Sequence, residues 1–458
     1  MADTIAAVAT PMARGAIGIL RLSGPEAVRA ASAVFKPVGG RPLEEYEGRR
    51  LVYGTLYDRE GNAIDQALAT YTRGPGSYTG EDTAELQCHG SPAVLTLGLE
   101  ALFAQGVRQA GPGEFTRRAF LNGRLDLTQA EAVADLIDAE TASAVRQAAG
   151  QLSGALGRRV AAVYDALTDL TAHFCAVLDY PDEDIDPFRA ETMEQALSQA
   201  RRELSALLAT YGRGRQLVHG VPCAIVGRPN AGKSSLLNAL VGYDRAIVTD
   251  IPGTTRDTIE EKCRLGGVLL RLIDTAGLRD TTDTVEQLGV ERSRAALAEA
   301  GLALVLIDPA GGVTEEDLAI LEQAQAAAEK VIVVLTKADL PDRRDIGFSL
   351  KGEKRPPVVS LSAKTGEGLE ELEAVVAAPF PGGEENWGEL LTNARQAEAA
   401  GRALEAVTSA GDALAAGMPA DAVFSDVEAA LDALGALTGR SVQEDVTDRI
   451  FSRFCVGK

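Results

Sequence analysis

The spacing of apolar positions along the chain divides it into segments with different predicted structures. Residues 1–118 contain short β-like runs, among them Ala16–Leu22 and Leu51–Leu56, separated by turns rich in glycine and proline. The spacing then changes to that of α-helices. This change predicts an N-terminal α+β domain followed by a helical segment over residues 119–216.

The helical segment has recognisable start and stop signals. Thr128 and Glu131 have the spacing of a capping box, which predicts a helix start there. The helical period of apolar residues continues to Leu167, and a second helix is predicted over Glu191–Tyr211. Gly212–Arg215 follows, and its two glycines favour a linker.

Residues 217–380 alternate predicted strands and helices, the pattern of an α/β unit with a parallel sheet. The strand candidates are short apolar runs, which indicates a sheet buried on both faces. They are Val221–Val226, Leu269–Ile273, Leu302–Ile307, Val331–Leu335 and Val358–Ser360. From about Glu389 the pattern is helical again, so residues 119–216 and 381–458 are predicted to form one discontinuous helical domain that carries the α/β unit as an insertion.

Composition and charge narrow the class of protein. The chain has 458 residues, of which 46% are hydrophobic, and is long enough for several globular domains. No apolar run approaches the ~18 residues of a membrane span, and the N-terminus lacks the basic region of a secretory signal. Its five cysteines show no C-x-x-C spacing, which predicts reduced thiols in the cytoplasm. The net charge is −21, so RNA binding cannot be inferred from charge, and any RNA contact must be local or use a partner's surface.

A phosphate-binding loop is predicted at Gly227–Ser235, which fits G-x-x-x-x-G-K-[ST] and follows an apolar run. The glycines allow close backbone approach, and the N–H groups at the start of the next helix face the phosphates. Lys233 would reach the β- and γ-phosphates, and the Ser234 hydroxyl would bind Mg²⁺. The nucleotide-binding residues predicted here are Asn230, Ala231, Gly232, Lys233, Ser234 and Ser235.

Two later motifs predict that the nucleotide is GTP. Thr336–Asp339 follows an apolar strand, and Asp339 would accept two hydrogen bonds from guanine that adenine cannot offer. Lys337 would lie over the base, while Thr336 stands where Asn is usual. Ser362–Lys364 would add a backbone contact to the guanine oxygen. The predicted contacts of these motifs are Thr336, Lys337, Asp339, Ser362, Ala363 and Lys364.

The segments that would sense the γ-phosphate lie between these motifs. Thr249–Asp257 has the place and composition of switch I, with Thr255 as the second protein ligand of Mg²⁺. Asp274–Gly277 follows an apolar strand, and Asp274 would hold Mg²⁺ through water while Gly277 places an N–H near the γ-phosphate. The GTP contacts predicted here are Thr249, Thr254, Thr255, Asp274, Thr275, Ala276 and Gly277.

Two departures from the simplest GTPase pattern bear on hydrolysis. Position 278 is Leu, where many small GTPases place a Gln that orients the attacking water. Glu286 is the best replacement, and its rivals are Asp280, Asp283 and Glu291. No arginine is evidently placed to balance charge between the β- and γ-phosphates. Asn230 would either hold K⁺ there, with carbonyls of switch I, or merely brace the loop.

The chain resembles the MnmE (TrmE) family of bacterial tRNA-modification GTPases over essentially its full length. The resemblance is carried by the GTPase motifs and by Asp3–Pro11, Gly15–Pro25, Ser77–Asp82, Pro112–Thr116, Arg118–Asn122 and Ile450–Lys458. It implies a multidomain fold with an N-terminal α+β domain for folate binding and dimerisation, a discontinuous all-α helical domain and an inserted α/β P-loop GTPase domain. The corresponding boundaries are 1–118, then 119–216 with 381–458, then 217–380.

The family's activity is also implied by this resemblance. The chain would be a K⁺-activated GTPase that works as a homodimer with the FAD-dependent MnmG, in a heterotetramer or larger complex. A reduced folate, 5,10-methylene- or 5-formyl-tetrahydrofolate, would supply one carbon for modification at C5 of the wobble uridine in certain tRNAs.

Residue roles carried over by motif complete the expectations. Glu286 matches the acid that orients water, and Lys233 and Cys455 join it as catalytic candidates. Cys455 could be a nucleophile, a proton donor or a packing residue. The matched ligand sets are Ser234 and Thr255 for Mg²⁺; Asn230, Thr249, Ile251 and Thr254 for K⁺; and Arg21, Glu85, Arg124 and Lys458 for folate.

Two other functions compete with this reading. A GTP-dependent ribosome-assembly switch without modification chemistry would share the GTPase motifs, but it needs neither the N-terminal segment nor the Cys-Val-Gly-Lys tail. A folate-binding scaffold with a degenerate GTPase is disfavoured because Lys233, Ser234, Thr255 and Asp274 are all present.

Overall fold

The chain folds into two compact units. One comprises Met1–Ala134, Gln151–Leu204 and Glu398–Lys458, and the other comprises Asp135–Gly150 and Ser205–Ala397. The structure, a computed structural model, describes residues 3–179, 190–243, 261–273, 295–340, 355–379, 387–441, 447, 450–452 and 454–457. The predicted fold class is confirmed: an N-terminal α+β domain, a discontinuous helical domain and an inserted α/β P-loop domain.

Thirteen strands form two sheets within the described residues. The strands of the first sheet are β1 Ile5–Val8, β2 Gly15–Ser23, β3 Phe35–Pro37, β4 Val52–Tyr57, β5 Ala63–Thr72, β6 Thr83–Gly90 and β7 Arg108–Gln109. Those of the second are β8 Val221–Gly227, β9 Glu261–Leu265, β10 Val268–Leu272, β11 Leu302–Ile307, β12 Lys330–Leu335 and β13 Val358–Ser360.

The described helices alternate with these strands or follow them. In chain order they are α1 Ala27–Val34, α2 Pro92–Ala104, α3 Glu114–Leu121, α4 Leu127–Ile137, α5 Ala142–Leu152, α6 Ala155–Asp179, α7 Ala190–Leu208, α8 Tyr211–His219, α9 Lys233–Tyr243, α10 Glu315–Ala327, α11 Leu369–Ala377, α12 Ala394–Ala415 and α13 Ala420–Thr438.

The first sheet has the order β3-β4-β5-β6-β2-β1-β7 and is antiparallel except for the pair β1–β7. Because side chains alternate across a strand, each strand presents one apolar set to each face. Leu20 and Leu22 of β2 lie in the core formed with α1 and α2. Phe115 of α3 packs instead with Ile5 and Ala7 of β1. The outward positions of β2 therefore lie on the same face of the sheet as Phe115.

The helical segments of the first unit form their own contacts. The rings of Phe174 on α6 and Phe424 on α13 are stacked with centroids 3.7 Å apart. One described stretch, Ala155–Val177 of α6, is long and apolar enough to cross a membrane by length and composition, with a mean hydropathy of 1.2. Helices that pack against other helices pass the same test, and α6 makes such a contact with α13 through Phe174.

The predicted capping box at Thr128 and Glu131 is wrong by two residues. Asp126 Oδ1 accepts from Gln129 N–H at 2.8 Å, and Gln129 Oε1 accepts from Asp126 N–H at 2.9 Å. Asp is a strong N-cap residue, and this reciprocal pair satisfies both backbone donors. Thr128 instead lies buried inside α4 and donates its hydroxyl to Asp126.

The second sheet has the order β13-β12-β11-β8-β10-β9. All neighbouring strands are parallel, as predicted, except that β9 is antiparallel to β10. The sequence reading missed β9. Its signal is the pair Gly266–Gly267, in which both residues have positive φ, 59° and 77°, as a two-residue hairpin turn requires.

The predicted linker Gly212–Arg215 is also wrong, because these residues lie inside α8. Gly214 serves close packing rather than flexibility. A Cβ atom at this position would lie only 2.2 Å from the carbonyl oxygen of Leu391. The glycine therefore allows α8 to approach the segment that precedes α12, and Leu391 N–H donates to Thr210 Oγ1 at 3.1 Å beside it.

Gly214→Ala is expected to lower the free energy of unfolding of the second unit by about 1–3 kcal/mol, because the added methyl group overpacks against backbone. Gly212→Ala, in the same helix, meets open space and is expected to raise it by about 0.5–1 kcal/mol, since alanine is the better helix former. Thermal unfolding of the two variants measures the difference. Equal shifts of both midpoints would contradict the close approach at Gly214.

Candidate functional site

The predicted nucleotide-binding loops meet at one edge of the second sheet. Gly227–Ser235 follows β8, Thr336–Asp339 follows β12, and Ser362–Lys364 follows β13. The strands β13, β12, β11 and β8 are consecutive and parallel, so their carboxyl ends lie side by side. Ligands of open α/β sheets bind outside this edge.

The phosphate loop is folded tightly around Lys233. The Lys233 ammonium donates to the carbonyl oxygens of Gly227 at 2.7 Å and Arg228 at 2.8 Å. Burial lowers the pKa of Lys233. A Cβ at Gly227 would lie 2.5 Å from Leu306 O, so glycine is required for the loop to leave the sheet. Two of the three ammonium donors are thus used by the loop, and one remains for a phosphate oxygen.

The other predicted residues of this loop lie before α9 and at its start. Asn230 is exposed and adopts a left-handed backbone with φ 64°, a conformation that asparagine tolerates better than most residues. Ala231 is buried in the core, and Ser234 and Ser235 begin α9 behind Lys233. Gly232 has φ 98°. The amide oxygen of Asn230 and the hydroxyl of Ser234 are the hard donors that K⁺ and Mg²⁺ prefer.

Side chains outside the base loop hold Lys337 and Asp339 in place. Lys337 has φ 57°, which is rare for a residue other than glycine, and its ammonium donates to Asp308 Oδ2 at 2.6 Å. Ser362 is fully buried, and its hydroxyl donates to Asp339 Oδ1 at 2.8 Å. Asp339 itself is exposed, and Ser362 holds one oxygen of its carboxylate.

Thr336, which replaces the usual Asn, is buried between the loops. Its hydroxyl donates to Ile307 O at 3.4 Å, and its side chain lies beside the phosphate-loop Gly232, where an added Cβ would be 3.7 Å away. Thr336 therefore anchors the base loop to β11 and packs against the phosphate loop. Ala363 packs against the core, and Lys364 is exposed beside it.

Several predicted site residues lie outside the described residues. They are Thr249, Ile251, Thr254, Thr255, Asp274, Thr275, Ala276, Gly277, Leu278, Glu286 and Lys458. Within the described residues, no group of three or more His, Cys, Asp and Glu side chains could hold a metal ion.

Two ion pairs of the nucleotide loops were not predicted from the sequence. Arg228 Nε donates to Asp317 Oδ1 at 2.7 Å, and Asp317 is 1% exposed. The second ion pair joins Lys337 to Asp308. Burial acts to raise the pKa of Asp308, but hydrogen bonds from Lys337 and a backbone N–H outweigh burial and lower it. The sequence signal was present in part, since Thr314 and Asp317 have capping-box spacing and form that box at the start of α10.

A second cluster lies on the face of the first sheet that carries Phe115. Arg21 of β2 and Glu85 of β6 are direct cross-strand partners, with Arg21 Nε 3.0 Å from Glu85 Oε1. The Arg21 guanidinium lies 5.9 Å from the centre of the Phe115 ring. The side chain of Arg124 lies against the loop that contains Gly80. The structure therefore pairs Arg21 with Glu85, and Arg124 contacts a neighbouring loop.

The C-terminal tail contacts the same unit. The carbonyl oxygen of Cys455 accepts from Gly113 N–H at 3.3 Å, and Val456 bridges to Pro112. A Cβ at Gly457 would lie 2.2 Å from Val8 O, so the tail runs directly over the end of β1. Cys455 is an exposed free cysteine. The structure thus places this catalytic candidate beside the N-terminal domain, at the end of the strand that pairs with β2.

Sequence reasoning also missed Arg118, which organises this region. Its guanidinium donates to Asp3 Oδ1 at 2.8 Å, Glu81 Oε2 at 3.0 Å and Glu114 Oε1 at 3.0 Å. A hydrogen bond from Arg108 is the main cause of the lowered pKa of Asp3. The pKa of Glu114 is also lowered, because hydrogen bonds from Arg108 and Arg118 outweigh the opposing effect of burial.

A carboxyl group whose pKa is lower in the folded state stabilises that state at pH values above its unfolded-state pKa. This stabilisation is lost as the pH falls through the folded-state pKa. Asp3 and Glu114 have ordinary values of 3.8 and 4.5, so Arg118→Met should destabilise the first unit most at neutral pH. The expected cost there is about 1–3 kcal/mol, as for leaving buried acceptors without one partner, because Arg108 still pairs with Asp3 and Glu114. Urea unfolding of both proteins at a series of pH values measures it. A difference that stays constant below pH ~4 would contradict the assigned pairs.

Comparison with known proteins was made against family models, curated proteins and solved structures. The family model described as "MnmE helical domain" matches residues 127–455, and that described as "GTP-binding protein TrmE N-terminus" matches residues 4–124. A tRNA modification GTPase MnmE from Clostridioides difficile (strain 630) is 43% identical over 458 residues, covering 100% of this chain and 99% of that protein.

Two further similarities were found. A tRNA modification GTPase MnmE from Symbiobacterium thermophilum is 45% identical over 456 residues, covering 100% of this chain and 99% of that protein. Among solved structures, Era in complex with MgGDPNP and nucleotides 1506–1542 of 16S ribosomal RNA is 27% identical. That match has a TM-score of 0.27 and covers 41% of this chain and 69% of that one.

Proposed function

This chain belongs to the MnmE family of tRNA modification GTPases, and from that premise we propose that it is a K⁺-activated GTPase that modifies C5 of the wobble uridine in certain tRNAs. Its GTP hydrolase activity and its part in tRNA modification follow from the family. The proposal adds the FAD-dependent MnmG as partner, a homodimer, a reduced folate as one-carbon donor and a cytoplasmic location.

The meeting of three nucleotide loops at one sheet edge is the observation that carries the proposal. The phosphate loop contains Lys233 and Ser234, and the base loop contains Asp339, which is held by the buried Ser362. The phosphate loop and the base loop are spaced along consecutive parallel strands. This spacing fits a nucleotide whose phosphates are bound by one loop and whose base is bound by the other. Asp339 would select guanine because it accepts from two donors that adenine lacks.

Hydrolysis would use the chain's residues in distinct roles. Lys233 would bind phosphate oxygens, and Glu286 would orient the attacking water in place of the Gln that Leu278 replaces. Ser234 and Thr255 would hold Mg²⁺, with Asp274 acting through water. The oxygens of Asn230, Thr249, Ile251 and Thr254 would hold K⁺. Bound cations balance the charge that develops on the transferred phosphoryl group.

The folate would bind on the first unit. The positive charge of Arg21 suits a folate carboxylate, and the carboxylate of Glu85 suits the donor edge of the pterin. Both side chains are less than a third exposed, and they already face one another. Arg124 and Lys458 are proposed as further contacts. Residues 1–118 would form the folate-binding and dimerisation domain, residues 119–216 with 381–458 the helical domain, and residues 217–380 the GTPase domain.

Mass spectrometry of wobble nucleosides tests the proposal. Cells that lack this chain should contain unmodified uridine at the wobble position of the affected tRNAs, and the wild-type chain should restore the modification. Glu85→Gln, which keeps the side-chain size but removes the charge, should restore it less well and should weaken the heat of binding of 5-formyl-tetrahydrofolate. Unchanged wobble nucleosides in the deletion strain would contradict the proposal. Ribosome-assembly defects in that same strain would favour the alternative switch.

A further inference from the structure

One acidic turn holds cationic side chains of both nucleotide-binding loops. This acidic turn, defined here as residues Asp308–Asp317, comprises the connection after β11 and the first residues of α10. We propose that Asp308 and Asp317 are positioning residues that fix the base loop and the phosphate loop relative to each other before GTP binds. This inference rests on the nucleotide site proposed above, and it assigns a role to residues outside the recognised GTPase motifs.

At the base end, Asp308 acts on Lys337. Asp308 Oδ2 lies 2.6 Å from the Lys337 ammonium, and Asp308 Oδ1 accepts from Ala310 N–H at 3.1 Å. The carboxylate is therefore itself fixed by the turn. Lys337 has the left-handed backbone that costs of order 1–3 kcal/mol unless its surroundings hold it. The ion pair with Asp308 supplies such a restraint and sets where the lysine stem can lie over a base.

At the phosphate end, Asp317 acts on Arg228. Asp317 is 1% exposed, and its Oδ1 accepts from Arg228 Nε at 2.7 Å. Its Oδ2 accepts from the Thr314 N–H at 3.0 Å and hydroxyl at 2.8 Å, so the helix start holds the carboxylate in place. The carbonyl oxygen of the same Arg228 accepts from the Lys233 ammonium. Asp317 thus reaches the phosphate-binding lysine through one intervening residue.

The two ends are linked through the turn and the sheet. Strand β11 lies between β8 and β12, so the turn that follows it lies between the two loops. The charge of Arg228 is the smallest of the causes that lower the pKa of Asp308, after those from Lys337 and the Ala310 N–H. Fixing both loops in advance reduces the ordering cost of binding, because less conformational freedom is lost when the nucleotide arrives.

The test compares Asp308→Asn and Asp317→Asn with Glu322→Gln, an exposed carboxylate on α10 away from the loops. Losing a charged hydrogen-bond partner is expected to raise KM for GTP and Kd for GDP by roughly 10-fold or more. Asp308→Asn should leave kcat within about 2-fold, since the base lies far from the reacting phosphate. Asp317→Asn should also lower kcat about 10-fold through Arg228 and Lys233. Asp308→Glu, which keeps the charge, should recover much of the lost affinity.

The outcomes are distinguishable. Wild-type values of KM and Kd in both Asn variants, with hydrolysis intact in the wild-type chain, would overturn this inference alone. A lower melting temperature with unchanged KM would also overturn it, because that pattern marks a purely structural role. Absence of GTP binding by the wild-type chain would instead overturn the nucleotide site. In the double variant, a combined loss smaller than the product of the single losses would support a shared brace.

Discussion

Lys233→Met is expected to lower kcat/KM for GTP by about 10³-fold or more, on the scale of the roughly 10³–10⁵ in rate that an arginine finger contributes at the same phosphoryl group. The ammonium is preorganised, because the carbonyl oxygens of Gly227 and Arg228 already hold it at 2.7 Å and 2.8 Å. Its lowered pKa reflects burial, so the charge acts in a partly desolvated setting where electrostatic stabilisation is strong. Methionine preserves the length and packing of the side chain but supplies no donor. Steady-state hydrolysis and GDP calorimetry measure the effect.

Lys330→Met is the matched control. Lys330 is an exposed lysine at the start of β12 in the same sheet, so its loss changes the net charge by the same amount without touching the phosphate loop. Hydrolysis by this control should stay within about 2-fold of wild type, as for most surface substitutions. Similar losses in both variants would mean that the lysine at position 233 acts only through total charge or folding.

Replacing K⁺ with Na⁺ is expected to lower GTP turnover by about 10²-fold, the scale of removing one preorganised charge stabiliser. The reason is that the sequence motifs predict no arginine between the β- and γ-phosphates, while Asn230 is exposed at the phosphate loop. Asn230→Gly should remove the K⁺ dependence and leave turnover at the low Na⁺ level. Phosphate release measured in both salts at constant ionic strength provides the comparison.

Two substitutions at this position separate the amide from the backbone. Asn230 has φ 64°, which glycine adopts without strain and alanine does not. Asn230→Gly therefore tests the amide alone, and Asn230→Ala adds a backbone cost. If the glycine variant keeps full K⁺ activation, the amide only braces the loop, which is the other reading of the sequence.

The nucleotide loops could be predicted because their signals are local. A short apolar run followed by a glycine-rich or Lys-x-Asp loop places the loop at the carboxyl end of a buried strand, and parallel strands bring such ends together. The strand Val221–Val226 and the loop at Thr336–Asp339 were predicted in this way. Guanine specificity and the roles of Glu286 and Thr255 stay predictions, since they rest on motif matching.

Other features depend on partners distant in the chain, which periodicity does not reveal. Arg228 and Asp317 are 89 positions apart, and Lys337 and Asp308 are 29 apart. Gly212–Arg215 was not predicted as helical because glycine has a low helix propensity. Gly214 is needed there for close contact with Leu391. Local propensity predicted a linker there, and tertiary packing decided otherwise.

The tail that runs over β1 has a consequence for biosynthesis. Phe454 and Gly457 pack against Gly113 and Val8, yet the ribosome makes them only after the whole GTP-binding unit. Until then the surface around Gly113 and Val8 stays open to water, because domains fold as they emerge and this one still lacks residues 454–457. Nascent chains stalled before residue 454 should therefore engage chaperones and proteases through that surface. The arrival of the tail would cover it.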